Sequence, residues 1–263
     1  MGLLVVLSCN QKPKSSAYDD DEEEETEELK LKTFTFSEKE GIAHVDLSIQ
    51  FPVRGDEELV DAIRQYLADQ VGLESDEVEL SDGKGMANYY GQKLMDDMRQ
   101  LAQDYAGDDY VTEVYHDWKF SKLYETDDYV TFLGETDLYE GGVHGINYQN
   151  GITFFEDNGK HLTTGMLRNT DSEDFQELMR DGLKQYFDVS TDEELAEELI
   201  SVEDVYSIPL PSADPYAVKE GIVFIYQPYE ISYYGAGMPA FTIPLKKMKP
   251  FLNREALKGL DLN

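Results

Sequence analysis

The sequence has little cysteine and little positive charge. Cys9 is the only cysteine among 263 residues, which excludes a disulfide within one chain and a metal site built on several cysteines. Lys and Arg number 22 against 55 Asp and Glu, and the formal net charge is −33. Nucleic acids are not expected as partners, because phosphate binding requires basic side chains. A charge of this sign suits solubility, cations or a basic protein.

Long hydrophobic runs are also lacking, since no apolar stretch reaches the roughly 20 residues of a membrane-spanning helix. A short apolar stretch at residues 3–7 is followed by Ser8 and Cys9. It resembles the end of a signal peptide and the bacterial lipobox, in which the cysteine after a small residue is lipidated. We therefore expect residues 1–8 to be a signal-peptide remnant. We expect acyl chains on Cys9 to hold the protein on the outer membrane, facing the periplasm or the cell surface.

The segment that follows is polar and then strongly acidic. Residues 19–28 contain nine acidic side chains in ten positions, which repel one another and favour an extended, disordered chain. We predict that residues 9–28 form a lipidated, acidic linker. A solvated spacer is one interpretation of the acidic run. The other is a surface-export signal, which acidic stretches near the lipidated cysteine of some bacterial lipoproteins resemble.

From Leu29 onwards, strand-like and helix-like patterns come in blocks. Apolar residues alternate with polar ones from residue 45 to residue 51, which predicts a half-buried strand that ends at Pro52. Asp56, Ser172 and Thr191 precede helical patterns and are predicted to cap them. Because strands and helices are grouped, we predict the α+β class, with largely antiparallel sheets and helices packed on one face. Two small domains are expected, at residues 29–109 and 110–263.

A glycine-rich segment, YEGGVHGIN at residues 139–147, is the first candidate site. Its three glycines allow positive φ angles and close approach of a ligand. His144 can exchange a proton near neutral pH. Two interpretations stay open: a functional histidine in a ligand site, or a tight turn in which His144 is a structural hydrogen-bond partner.

A second candidate, PYEISYYGAG at residues 228–237, is rich in tyrosine. Tyrosine combines a rigid apolar ring with a polar tip, which suits recognition of a partner. The alternative is a loop that packs back on a sheet and covers its edge. We expect this loop and the glycine-rich turn to lie close together at one end of the same sheet.

Together with residues 162–165 and 221–226, these two segments resemble the extracellular domain of lysozyme-sensing anti-sigma factors of the RsiV type. The resemblance covers about residues 110–252, and the family adds a small N-terminal domain that also accompanies polysaccharide deacetylases. It implies an α+β domain that binds a partner outside the cell, with a basic protein such as a lysozyme as the first candidate. The sigma-binding segment and transmembrane helix of that family are not found in the sequence, so anti-sigma activity is not expected. The predicted binding residues are Tyr139, Gly141, Gly142, His144, Gly145, Asn147, Tyr229, Glu230, Tyr233, Tyr234 and Gly237.

Signatures of catalysis are not found. The sequence has no G-x-S-x-G, no phosphate-binding loop, no H-E-x-x-H, no dinucleotide fingerprint and no calcium-loop spacing. We therefore expect a non-catalytic binding module that uses no cofactor or metal. The alternative is an enzyme or accessory protein acting on cell-wall or other polysaccharide, because two carboxylates suffice for glycoside hydrolysis.

Overall fold

The computed structural model describes residues 28–73, 78–107 and 110–262. The predicted signal-peptide remnant, Cys9 and the linker as far as residue 27 lie outside the described residues. Within those ranges, no helix combines the length and the apolar character that crossing a membrane requires.

The described residues form an α+β fold, as predicted, with a five-stranded and a three-stranded sheet. The strands are β1 (Lys30–Glu40), β2 (Ala43–Arg54), β3 (Val114–Glu125), β4 (Tyr129–Tyr139), β5 (Ile146–Phe155), β6 (Tyr216–Val218), β7 (Gly221–Ile225) and β8 (Ala240–Ile243). The α-helices are α1 (Glu57–Val71), α2 (Gly83–Asp104), α3 (Glu173–Phe187), α4 (Asp192–Glu198), α5 (Leu245–Met248) and α6 (Arg254–Gly259). Short 3-10 helices cover Thr164–Met166, Tyr234–Ala236 and Lys249–Phe251.

The larger sheet has the order β1-β2-β3-β4-β5, with β2 and β3 parallel and the other pairs antiparallel. Val45, Leu47 and Ile49 alternate along β2 and are buried in one hydrophobic core with the apolar faces of α1 and α2. The side chains of successive strand residues point to opposite faces. The polar residues between these apolar ones therefore form the other face of the sheet.

The smaller sheet has the antiparallel order β6-β7-β8 and packs with α3 around a second core. Strand β6 lies against the polar face of the larger sheet. There Thr131 and Thr153 hydrogen-bond to the backbone of Ala217, and a Cβ at Gly151 would overlap the ring of Tyr216. The polar face is thus covered at one end and open at the other.

One local expectation was wrong. Strand β2 continues through Pro52 to Arg54, which is tolerated because β3 pairs with β2 only as far as Ile49. The pair Asn158-Gly159, which is typical of a hairpin, makes a tight turn, but the returning chain forms a single bridge at His161 instead of a strand. The division at residues 109 and 110 stays a prediction, and the larger sheet takes strands from both sides of it.

Candidate binding cleft

The glycine-rich segment forms the turn between β4 and β5. Gly141 has a φ of 82°, and a Cβ at this position would lie 2.5 Å from the ring of Tyr105. The hydroxyl of Tyr139 donates to the carbonyl of Gly142 at 3.0 Å. A Cβ at Gly145 would lie 3.2 Å from a backbone oxygen. Position 141 therefore requires glycine, both for its backbone angle and for its close packing against Tyr105.

His144 links this turn to the tyrosine-rich loop. Its Nδ1 lies 2.9 Å from the carbonyl of Gly145, and its Nε2 lies 3.2 Å from the hydroxyl of Tyr229. Because a carbonyl only accepts, Nδ1 donates to Gly145, and in the neutral ring Nε2 accepts from the hydroxyl of Tyr229. The ring stacks on Tyr234 with centroids 3.6 Å apart, and Tyr234 also donates to the Gly145 carbonyl. These contacts favour the structural interpretation of His144, although its ring stays exposed.

The expected proximity of turn and loop is confirmed by these contacts, but their expected place on one sheet was wrong. The turn joins two strands of the larger sheet, whereas residues 228–237 join β7 and β8 of the smaller sheet. The two meet because Gln227 pairs with the edge strand β5. Its side chain donates to the carbonyl of Gln149 at 2.7 Å and accepts from the Gln149 amide at 3.3 Å. This segment of the chain therefore covers the sheet edge, which would otherwise expose backbone hydrogen-bonding groups.

The loop side chains have different surroundings. The carboxylate of Glu230 accepts from the backbone amides of Ser212, at 2.6 Å, and Gln227, at 2.7 Å, so it shapes the loop. Tyr233 is half exposed and its hydroxyl lies 3.3 Å from a carboxylate oxygen of Glu198. Tyr229 has a φ of 68°, a left-handed conformation that is uncommon outside glycine and tends to occur at functional sites.

A cleft of about 990 Å³ lies on the open end of the polar face. Its floor is two rows of side chains that are in register across all five strands of the larger sheet. The first row is Ser37, Asp46, Asp117, Asp137 and Asn147, and the second is Thr35, Ser48, Lys119, Glu135 and Gln149. One wall is formed by Pro228, Tyr234, Gly235, Gly237 and Met238.

Three of the predicted binding residues, Asn147, Tyr234 and Gly237, line this cleft. Gly237 has a φ of 72° at the end of the 3-10 helix, where it turns the chain towards β8. The other predicted residues lie on the adjoining turn and loop. Sequence reasoning missed the three aspartates of the floor, because alternation assigns a residue to a face but does not say which strands are neighbours.

The floor is strongly acidic. Nε2 of His44 lies 3.2 Å from Oδ2 of Asp46 and 3.6 Å from Oδ1 of Asp117. Each of these three residues offers one atom that can ligate a metal ion, and the three atoms lie within 4.8 Å of one another. A side-chain hydrogen bond from Ser37 lowers the pKa of Asp46, and the hydrogen bond and charge of His44 lower it further. Burial raises the pKa of Asp117, and the neighbouring carboxylates add to the rise. This group could hold a cation.

Comparisons with known proteins extend the description of the fold. Residues 169–246, from just before α3 into α5, match a family model described as a protein of unknown function, DUF3298. A crystal structure of a DUF3298 family member from Bacteroides fragilis is 20% identical, covers 89% of this chain and 97% of its own, and superposes with a TM-score of 0.67. A DUF3298 family protein from Pseudomonas aeruginosa is 15% identical over 85% of this chain and 95% of its own, with a TM-score of 0.57. No curated protein matches the chain. At these identities the structural likeness shows the fold alone.

Proposed function

We propose that this protein is a cell-envelope lipoprotein whose folded body is a non-catalytic binding module for a basic extracellular protein. The observation that carries the proposal is the joining of the turn and the loop. His144, Tyr229 and Tyr234 bring two segments 85 residues apart into one surface beside an acidic cleft.

The chemistry of this surface suits recognition of a protein. Val143 is fully exposed at the tip of the turn, and 54% of the Tyr229 surface is exposed beside it. Exposed tyrosines supply rigid contact area, and a few such anchors carry most of the binding energy in protein interfaces. The acidic charge of the chain would steer a basic partner and make binding sensitive to salt.

A lysozyme is the first candidate partner, because the motif resemblance points to lysozyme sensing. The full chain carrying Cys9→Ala, which cannot be lipidated, should bind a basic lysozyme saturably and more weakly as salt is raised. Tyr229→Ala should weaken binding about tenfold at fixed salt, the effect of losing one anchor.

Tyr206→Ala is the matched control. Tyr206 lies on the segment after α4 and is 52% exposed, and the guanidinium of Arg180 lies over its ring. It should change the affinity by less than about twofold. Equal binding of an unrelated basic protein, or no binding at low salt, would refute the proposed partner.

The lipid anchor is a separate part of the proposal and rests on Ser8 and Cys9. In cells that express the gene from its natural start, the protein should fractionate with membranes and incorporate labelled fatty acid. Cys9→Ala should release it into the soluble fraction, because stable anchoring depends on the acyl chains. Unchanged membrane fractionation of that variant would contradict lipidation.

A second candidate function, hydrolysis of polysaccharide, is favoured by one observation. The pKa values of Asp46 and Asp117 are displaced in opposite directions on the floor of the same cleft. Such pairs supply the base and the acid of glycosidases. Release of reducing ends from cell-wall polysaccharide, abolished by Asp117→Asn, would support this candidate over the binding module.

A further inference from the structure

The cleft floor carries an excess of negative charge that the described residues do not neutralise. Asp46, Asp117 and Asp137 lie side by side on three neighbouring strands. Lys119 is the one basic side chain among the described residues that line the cleft, and it pairs with Glu135 at 3.0 Å. The three aspartates thus face the cleft, and Nε2 of His44 lies within 3.6 Å of carboxylate oxygens of two of them, Asp46 and Asp117.

One wall of the cleft is largely apolar. It is formed by Pro228, Tyr234 and Met238. A small inorganic cation would use the carboxylates alone and leave this wall without a partner. Lysine and arginine side chains use both features, because their aliphatic stems pack on apolar surface while their charged ends reach a polar group.

The dimensions exceed those of a single side chain. Neighbouring strands lie about 4.8 Å apart, so the row from Asp46 to Asp137 spans about 10 Å. An extended peptide rises about 3.3 Å per residue, and about three of its residues cover that row. Alternate residues of such a peptide point to the same side, so basic residues at alternate positions would face the floor.

We infer that this cleft binds lysine or arginine side chains presented on an extended segment of the partner protein. The inference rests on the proposed function, because it names the part of a basic partner that enters the site. In the free protein, burial and the neighbouring carboxylates raise the pKa of Asp117. A cationic group that binds beside Asp117 lowers this pKa again, because it stabilises the ionised carboxylate.

The test uses the full chain carrying Cys9→Ala and two probes, an oligolysine peptide and the same peptide with every lysine acetylated on Nζ. Calorimetry should show saturable binding of the first peptide and none of the second. Asp117→Asn and Asp137→Asn should each weaken binding about tenfold, since each removes one charge partner from the floor. Asparagine keeps the oxygen that accepts from the Asp46 amide at position 117 and from the Tyr115 hydroxyl at position 137.

Asp181→Asn is the matched control, because it makes the same change of charge at an exposed position of α3. It should alter the affinity by less than about twofold. Equal weakening by Asp181→Asn would reduce the effect to bulk charge and overturn the inference. Equal binding of the acetylated peptide, or binding that disappears with a chelator, would also overturn it.

A parallel titration with the basic lysozyme separates this inference from the proposed function. If lysozyme binding is lost in Tyr229→Ala but unaffected in both cleft variants, the proposed partner stands and the cleft inference fails. If oligolysine binds as expected and lysozyme does not bind the wild type, the cleft inference stands and the lysozyme assignment fails.

Discussion

Gly141 and Gly142 are adjacent in one turn, yet the structure places opposite demands on them. Gly141 has a positive φ and packs on the ring of Tyr105, whereas a Cβ at Gly142 would meet no atom within 4 Å. Sequence alone marks both as flexible positions. The conformation of the turn, and with it the place of His144, depends on the first of them.

Gly141→Ala should therefore lower the free energy of unfolding by at least about 1–2 kcal/mol, the cost of a left-handed conformation in a residue other than glycine. The overlap with Tyr105 adds to this. Gly142→Ala should be neutral or slightly stabilising, because alanine restricts the unfolded chain. Urea unfolding of both variants measures the difference, and equal stabilities would show that the turn does not need this backbone angle.

Glu156, just after β5, gives the stability a pH dependence. Burial, together with Glu125 and Asp56, raises its pKa from 4.5 to about 7. Between these two values the folded protein holds a proton that the unfolded chain releases, so the contribution of Glu156 to stability falls as the pH rises through this window.

Glu156→Gln should remove this loss. The stability difference between Glu156→Gln and the wild type should favour the variant by about 1 kcal/mol more at pH 8 than at pH 5, a value that allows for solvent screening of a partly buried carboxyl. Urea unfolding at the two pH values measures the change. A stability difference between variant and wild type that is the same at both pH values would contradict the assignment.

Among the elements, β6 joins the two sheets through buried hydrogen bonds. The hydroxyl of Thr131 donates to the carbonyl of Ala217 at 2.7 Å, and the amide of Ala217 donates to the hydroxyl of Thr153 at 2.7 Å. The two hydroxyls lie 2.8 Å apart and are both buried. The backbone of a three-residue strand is thus satisfied by side chains of the neighbouring sheet.

Thr153→Val keeps the shape but leaves the buried Ala217 amide without an acceptor. It should cost about 1–3 kcal/mol, the penalty for an unsatisfied buried group. Thr33→Val, on the exposed face of β1, is the control and should be nearly neutral. Thermal unfolding of the two variants tests this, and a neutral Thr153→Val would mean that water replaces the lost hydroxyl.

At the scale of the elements, only local features could be predicted from the sequence. The caps at Asp56, Ser172 and Thr191 are confirmed, since each side chain accepts from the backbone amide three residues later. The parallel pairing of β2 with β3 and the short strand β6 were not predicted, because both depend on contacts between distant segments. The same holds for the site. Tyr234 and Asn147 lie in segments that the sequence marks as motifs. The floor aspartates can be recognised as one group only when the order of the strands is known.

At the scale of the whole molecule, the main feature is the excess of negative charge. Several basic side chains are engaged in exposed ion pairs, such as Lys160 with Glu255 and Lys258 with Asp157. With a net charge of −33, a large excess of acids remains. Unbalanced charge destabilises the compact state through self-repulsion, which dissolved salt screens.

The melting temperature should therefore rise as NaCl is increased from about 0.01 M to about 1 M, where the Debye length falls from about 30 Å to about 3 Å. KCl should act alike, because screening depends on ionic strength and not on the identity of the ion. Differential scanning calorimetry measures the shift. A melting temperature that stays constant or falls would show that the acids are spaced widely enough to avoid one another.

Trp118 is the only tryptophan of the chain, and its ring packs beside Tyr90 and Phe120 in the core under α1 and α2. Indole fluorescence therefore reports on that core alone, while circular dichroism averages over both cores. If the two signals melt together, the sheets unfold as one cooperative unit. If the fluorescence transition separates from the dichroism transition, the body is two folding units that share a sheet. This single ring thus makes the cooperativity of the whole protein visible without a label.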